Sequence, residues 1–323
     1  MPKVSVIMST YNEALEYLSS AIESVLRQTF QDFEFIILLD NPKNKQVHDC
    51  VYNYAKKDSR ILVVENEVNL GLTKSLNKAI GIARGTYMAR MDADDIMAKS
   101  CLEQELDAMQ KYRLDFISAS KINIDENGKK LGTYINDLSP RQMRKLLPYD
   151  NSVNHPTVMV KMDIIRREKG YREIPSCEDY DLWLRMLFHG FRMRILPNVF
   201  LLYRMRGNGI GGSNSYQQYL SKRYLLQMCK QAKKNPAIWE EQHAYEHFIK
   251  QQDTSSRKTE QFNQAYKQLY QGLHAVSHKN FRQGIPDILR AVCSDRDILW
   301  TMKNKLCYQI RKKLVTKFVK GME

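Results

Sequence analysis

Asp92 and Asp94, one residue apart in the run Ala89-Arg90-Met91-Asp92-Ala93-Asp94-Asp95, have the plainest capacity for chemistry in this 323-residue chain. On a loop, such a pair offers hard oxygen ligands to Mg²⁺ or Mn²⁺ and leaves coordination positions open for diphosphate oxygens. The ion would neutralise charge building on a phosphate leaving group. Acidic loops are also common as plain solvated surface, so the pair gains meaning only from its position. A second acidic pair, Glu178-Asp179, opens a segment with Leu182, Trp183, Met186 and Leu187 at helical spacing. These acids either cap a helix N-terminus, where the dipole favours negative charge, or present a general base there. His155, in the turn Asn154-His155-Pro156-Thr157, is either a hydrogen-bonded structural residue or part of a site. The pairs His243/His247 and His274/His278 are spaced four apart but lack the glutamate of an H-E-x-x-H motif, which leaves them as solvated helix faces.

The elements that position these residues alternate. Val4–Met8, Phe35–Leu39, Ile61–Val64 and Tyr87–Met91 are short apolar runs suited to buried parallel strands. Between them, Leu15 to Arg27, Lys45 to Lys56 and Thr73 to Ala83 carry helical periodicity. Repeated strand–helix–strand order predicts right-handed crossovers and an open α/β sheet with helices on both faces. Ligands bind such sheets beyond the carboxyl ends of the strands. Polar loops follow there: Ser9 to Glu13, Asp40-Asn41-Pro42, Asn66 to Gly71, and Asp92 to Asp95. No G-x-G-x-x-G follows the first strand and no G-x-x-x-x-G-K-[ST] occurs anywhere, which disfavours dinucleotide-binding oxidoreductases and P-loop NTPases. Asp125-Glu126-Asn127-Gly128 predicts a hairpin turn, and Asn154 to Val160 a turn leading into a strand. Gly207 to Ser215 is a Gly/Asn/Ser loop, and the chain from Tyr216 onward is helical in pattern.

Several of these segments together resemble the family 2 glycosyltransferases. They are Val4 through Glu13, Ser24-Val25-Leu26-Arg27-Gln28-Thr29-Phe30, Asn69-Leu70-Gly71-Leu72 with Leu76-Asn77, the Ala89–Asp95 run, and Glu178-Asp179-Tyr180-Asp181-Leu182-Trp183. The match spans residues 1–215 in the family's order and spacing. The Asn-His-Pro segment and Tyr203-Arg204 further resemble bacterial β-1,3-hexosaminyl and galactosyl transferases of surface polysaccharide synthesis. The resemblance implies a GT-A fold, a Rossmann-like, mostly parallel sheet with helices on both faces, followed by a helical C-terminal extension. It divides the chain into a catalytic domain, 1–215, with a nucleotide-sugar half (1–125) and an acceptor half (126–215), and a helical region, 216–323. The implied activity is inverting transfer of a hexose or N-acetylhexosamine from a UDP-linked sugar to a glycan or lipid-linked saccharide, with Mn²⁺ or Mg²⁺. Thr10, Tyr11, Glu13, Asp40, Asn69 and Lys74 would then serve the nucleotide, Tyr11 by stacking on the base and Asp40 by accepting from the uracil imide. Asp92 would hold the ribose or the metal's outer shell, and Asp94 the metal. Asp179, with Glu178 beside it, would be the general base, and His155 would shape the acceptor side. Inversion by direct displacement needs one carboxylate on the acceptor side, unlike the paired carboxylates of a retaining glycosidase. Two departures stand out. The family's usual two acids after the second strand are reduced to Asp40 alone, and a His that many relatives carry after Tyr-Arg is replaced by Arg206, a permanent cation suited to clamping a diphosphate.

Charge is uneven. Residues 1–130 hold 17 basic and 19 acidic side chains, net −2, and the remainder holds 33 and 17, net +16. In residues 298–320, Met302, Leu306, Ile310, Leu314 and Phe318 recur every four residues among seven cations. This basic amphipathic helix suits either an anionic membrane interface or packing on the catalytic domain. No stretch approaches the ~18 apolar residues of a membrane span. The six scattered cysteines show neither zinc spacing nor a disulfide framework. The expectation is a cytoplasmic protein, peripheral on the inner face of the plasma membrane. Two alternatives weigh less. A nucleotidyltransferase making sugar nucleotides lacks its Gly-rich phosphate loop. A non-catalytic, membrane-associated glycan-binding protein has only the basic half in its favour. Nucleic acid is not an expected partner, because no module interleaves basic and aromatic residues.

Overall fold

The computed structural model describes residues 1–205, 214–240 and 244–319. Arg206, His243, Lys320 and all of the Gly207–Ser215 loop except its last two residues lie outside these. The chain forms two compact units: a sheet unit of Met1–Arg144, Ser152–Glu173 and Arg185–Arg206, and a helical unit of Lys145–Asn151, Ile174–Leu184 and Gly207–Glu323.

The sheet unit starts with the expected alternation: β1 (Val4–Thr10), α1 (Leu15–Leu26), β2 (Phe33–Leu39), α2 (Lys45–Ala55), β3 (Ile61–Glu65), α3 (Leu72–Ile82) and β4 (Tyr87–Asp92). It continues with β5 (Ile96–Met97), α4 (Cys101–Lys111), β6 (Phe116–Ile124), β7 (Lys130–Tyr134), α5 (Pro140–Leu146), a 3₁₀ turn at His155–Thr157, β8 (Met159–Lys161) and α6 (Met162–Arg167). After α7 (Glu178–Phe188) comes β9 (Met193–Arg204). The strands form one sheet in the order β3-β2-β1-β4-β8-β6-β9-β5, with β7 on β6. β1 to β4 pair in parallel, as crossover helices require. From β8 onward the sheet is mixed, because β8 runs antiparallel to both β4 and β6 while β9 is parallel to β6. β2 is buried at every position, so it reads as a continuous apolar run rather than an alternation. Leu18, Ile22 and Val25 of α1 and Leu102 and Leu106 of α4 join the β1 and β2 side chains in one core.

Two local features aim this sheet's carboxyl edge. Gly71, at φ +78°, caps α3 and turns its N–H back toward the end of β2, a conformation that suits glycine. The β6–β7 hairpin turns at Gly128, φ +83°, in the Asp125–Gly128 tetrad.

The helical unit contains α8 (Ser215–Ala232), a 3₁₀ turn at Pro236–Glu240, α9 (Ala244–Lys250), α10 (Ser256–Ser277), α11 (Phe281–Ser294) and α12 (Asp297–Val319). Tyr216, Tyr219 and Phe262 cluster with ring centroids 4.9–5.9 Å apart, and Trp239 and Phe262 are fully buried. α12 departs from a simple amphipathic pattern. Ile298 and Tyr308 face inward, and Leu306, Ile310 and Leu314 face solvent beside Lys303 and Lys313. Lys305 and Arg311 turn back onto the rings of Tyr270 and Tyr149.

Candidate active site

The acidic turn after β4 is held by two arginines within the sheet unit. Arg90, 2% exposed, lies within β4 itself and ion-pairs with Asp92. Arg204, at the end of β9, donates its backbone N–H to Asp95 Oδ1 (2.8 Å) and its Nε to the Asp94 carbonyl (3.0 Å). Its remaining donors reach the Asp125 and Glu126 carbonyls, and its guanidinium lies 4.2 Å from the Tyr17 ring centroid. Asp95 is 1% exposed, and its Oδ2 has no partner among the described residues. Burial, with Asp92 and Asp94 beside it, pushes its pKa well above the carboxylate range. Asp92 and Asp94 keep partial solvent contact. Lys121 of β6 stands over the Tyr203 ring at 3.7 Å, its pKa lowered by burial although Asp95 and Asp92 pull the other way. The turn therefore offers hard carboxylate oxygens in a concentrated negative field. That donor set fits a small divalent cation completing its shell with water and phosphate oxygens; among the described residues no three His, Cys, Asp or Glu side chains gather into a metal cage.

The loops after β1, β2 and β3 lock together beside it. Thr10 Oγ1 and the Tyr11 N–H both donate to Glu13 Oε2, at 2.5 and 2.8 Å, and Tyr11 is 43% exposed. Asn12 Oδ1 accepts from the amides of Asn41 and Asn44, 2.7 and 2.9 Å away, at an open cleft of about 460 Å³ also lined by Lys43, Lys45 and Gln46. Asp40 is buried. Its Oδ1 accepts from Asn66 Nδ2 (2.8 Å) and the Leu70 N–H (2.9 Å), and its Oδ2 from the Gly71 N–H (2.9 Å). Asp40 is thus first the pin of the Asn66–Gly71 loop. A carboxylate has about four acceptor positions, so a further donor still fits. Asn69 Oδ1 accepts from the same Gly71 N–H at 2.9 Å. Lys74, exposed on α3, pairs with Glu173 at 3.4 Å.

His155 hydrogen-bonds through Nε2 to the Tyr171 hydroxyl (2.8 Å). Burial, with the Arg90 cation nearby, drops its pKa well below the imidazole range.

In the helical unit, Glu178 and Asp179 begin α7. Asp179 Oδ2 accepts from Asn151 Nδ2 (3.0 Å) and its Oδ1 from the Tyr180 N–H (2.6 Å). Both residues keep some solvent contact. The protein packed around Asp179 raises its pKa, opposed by the bonds from Asn151, Tyr180 and Trp183. A carboxylate with a raised pKa is a stronger base than a free aspartate.

The parallel sheet with its polar carboxyl edge is of the GT-A type. Residues 5–169 match the sequence profile of Glycosyl transferase family 2, and the chain belongs to that family. It is therefore a glycosyltransferase. An uncharacterized glycosyltransferase of Methanocaldococcus jannaschii is 37% identical over 236 residues, covering 72% of this chain and 81% of that one. The O-antigen biosynthesis glycosyltransferase WbnJ of Escherichia coli is 30% identical over 236 residues, covering 69% and 91%. Among solved structures, S. aureus TarS 1-349 in complex with UDP superposes with a TM-score of 0.57 at 17% identity, over 87% of this chain and 89% of that one, a likeness of fold.

Sequence reasoning assigns no role to Arg90, Lys121, Arg204 or Asn151. Arg90 and Arg204 lie inside the family-like segments Ala89–Asp95 and Tyr203-Arg204. Lys121 has its own signal, as the one cation in the otherwise uncharged strand Phe116–Ile124. Asn151 has none, because its partner is 28 residues away.

Proposed function

We propose that the protein transfers a hexose or N-acetylhexosamine, with inversion, from a UDP-linked sugar to a saccharide or lipid-linked acceptor in cell-surface polysaccharide synthesis. The observation that carries this reading is the turn Asp92–Asp95 at the carboxyl edge of a parallel sheet, strapped by Arg90 and Arg204 so that carboxylates converge where a diphosphate would lie. The names of WbnJ and of the UDP-bound TarS structure support the pathway and the nucleotide. Thr10, Tyr11, Glu13, Asp40, Asn69 and Lys74 bind the nucleoside, with Tyr11 exposed for stacking. Asp94 and Asp92 would hold Mn²⁺ or Mg²⁺, which when bound supplies the positive charge that stabilises the departing nucleoside diphosphate. Lys121 and Arg206 add cations for the same phosphates. Asp179 takes the proton from the acceptor hydroxyl as that oxygen attacks the anomeric carbon, Glu178 sets the field around it, and His155, neutral, shapes the acceptor side. The catalytic portion is residues 1–215, because 174–184 carries Glu178 and Asp179 although it folds with the helical unit. α12 docks the enzyme on the anionic cytoplasmic leaflet. No helix among the described residues is long and apolar enough to cross a membrane.

The test is release of nucleoside diphosphate from a panel of sugar nucleotides, with an oligosaccharide acceptor, with and without Mn²⁺. One UDP sugar should be preferred, and Asp94→Asn should abolish divalent-dependent turnover while leaving the melting temperature within a few degrees. Full activity in excess EDTA, or in the Asp94→Asn variant, would overturn the metal assignment.

A further inference from the structure

Residues 147–151 have no part in the reaction as derived, yet they end on its base. Asn151 donates to Asp179 Oδ2 at 3.0 Å, and the segment behind it is anchored from three helices of the same unit. The Leu147 carbonyl accepts from the buried Tyr180 hydroxyl of α7 at 2.7 Å. Asp150 Oδ1 takes Lys222 Nζ of α8 at 2.6 Å and the N–H of Asn151 at 2.9 Å. Tyr149 faces α12: the Arg311 guanidinium lies 3.9 Å from its ring centroid, and Asn304 Nδ2 donates to its carbonyl at 3.2 Å. Lys233, just past α8, approaches the same ring at 5.4 Å.

The geometry points to Tyr149–Asn151 as a positioning strap that aims the Asp179 carboxylate at the acceptor, with Asn151 as the positioning residue and Arg311 and Asn304 of the C-terminal helix as its anchor. This rests on Asp179 being the base. A carboxylate turns freely about its last torsion, a broad two-fold one. The Tyr180 N–H on Oδ1 and Trp183 hold the group from its own helix, and Asn151 is the donor on Oδ2 that comes from outside that helix. Misplacement by about 1 Å can cost ~10²-fold in rate. The groups facing the carboxylate also matter for its proton. Glu178 adjoins it on its own helix, Cys177 lies just before that helix, and Asp150 stands on the strap. The Lys222 ion pair offsets the Asp150 charge, so the strap delivers a neutral donor without crowding the base with a second free anion. α12 thus has two duties: Leu306, Ile310 and Leu314 face solvent, and half-buried Asn304, with Arg311 laid over the Tyr149 ring, holds the strap.

The experiment uses the full-length enzyme and follows kcat, donor KM and the pH dependence of kcat. Asn151→Ala should lower kcat about tenfold or more at unchanged donor KM. It should also move the acid limb to higher pH, because a bond favouring the ionised carboxylate is gone. Arg311→Ala, at an exposed position that leaves the core intact, should lower kcat in the same direction, and Arg311→Lys should restore most of it by keeping a cation over the ring. The double variant Asn151→Ala/Arg311→Ala should lose no more than Asn151→Ala alone, since both act through one contact. Unchanged kcat and acid limb in Asn151→Ala, or a loss confined to melting temperature, would overturn the strap. An Asp179→Asn enzyme with full turnover would remove the base itself. An inactive Asp179→Asn beside a parent-like Asn151→Ala would remove only the strap.

Discussion

Apart from Asp95 in the acidic turn, burial raises the pKa values of Asp179, the proposed base, and of Glu105, which is buried on α4. Asp179 keeps a path to solvent, and three donors hold its ionised form within reach. Its replacement by Asn should cut kcat by ~10²-fold or more with donor KM little changed, in keeping with general-base magnitudes. Equal losses in donor affinity and turnover would mark it as a helix cap. Glu105 of α4 is 2% exposed among Cys101, Leu102 and Leu106, with Oε1 unpartnered among the described residues and its pKa pushed up to about 8 by burial. Because the folded value lies above the ordinary 4.5, the neutral acid is the form the fold tolerates. Its contribution to stability is full below pH 4.5 and is lost as pH rises towards 8, by about 1.4 kcal/mol per pH unit across that interval. Glu105→Met should therefore raise the melting temperature over the parent by a clearly larger margin at pH 9 than at pH 5. A margin independent of pH would mean that Glu105 is already charged in the folded protein.

At the scale of elements, the period of the apolar residues was enough to place β1 to β4 and the helices between them to within a few residues, and with them the loops that gather at the carboxyl edge. Asp40 was legible as a residue of that edge, but not as the pin of Asn66–Gly71. Its three donors come from 26 to 31 residues away, and no local spacing encodes them. Of the mixed half of the sheet, the β6–β7 hairpin turn and a strand after Asn154 were legible, but the pairing of that half was hidden for a similar reason. β8 has three residues and β5 has two, too short for a period of two to show where or with what they pair, and they hold because long neighbours pair with them. The α10–α11 hairpin was equally unreadable, since its tight crossing depends on two glycines, Gly272 and Gly284, that meet only in the folded pair. A Cβ at Gly284 would come 2.7 Å from the Gly272 carbonyl oxygen and 2.9 Å from the Val276 nitrogen, both rigid backbone atoms. A Cβ at Gly81, on α3, meets nothing within 4 Å. Alanine gains roughly 1 kcal/mol over glycine in a helix interior, so Gly81→Ala should raise the melting temperature. Gly284→Ala should lower it, because the steric cost outweighs the same gain. Thermal denaturation of the two variants side by side decides this, and a rise in both would mean the hairpin can open without cost.

For the whole molecule, the charge asymmetry and the outward face of α12 belong to one argument. The net +16 of residues 131–323 would draw the protein to an anionic leaflet but would not seat it there. Seating needs apolar surface, and Leu306, Ile310 and Leu314 are 62%, 52% and 53% exposed, with Leu299 at 52% on the same helix. At about 100° per residue, Leu306, Ile310 and Leu314 fall within roughly 80° of one another, and Lys303 and Lys313 lie within or beside that arc. Lysines there can lay their stems along the apolar side chains and raise their ammonium groups to headgroup phosphates. Ile298 and Tyr308 face inward, and Asn304 and Arg311 reach Tyr149, so deleting the helix would confound docking with folding and with the aim of Asp179. The discriminating variant is Leu306→Gln/Ile310→Gln/Leu314→Gln. It should fold and melt like the parent and keep its turnover on a short soluble acceptor, yet lose co-sedimentation with phosphatidylglycerol-containing vesicles. Parent binding should weaken as salt rises from about 0.1 to 1 M, where the Debye length shrinks from ~10 to ~3 Å. Turnover on a lipid-linked acceptor should fall in the triple variant by the same factor as vesicle binding, because docking raises the acceptor concentration the enzyme meets and leaves its chemistry unchanged. A parent protein that ignores anionic vesicles at every salt concentration would leave those exposed leucines without a membrane to meet, and the basic half would then have to be explained by the phosphates of its donor and acceptor alone.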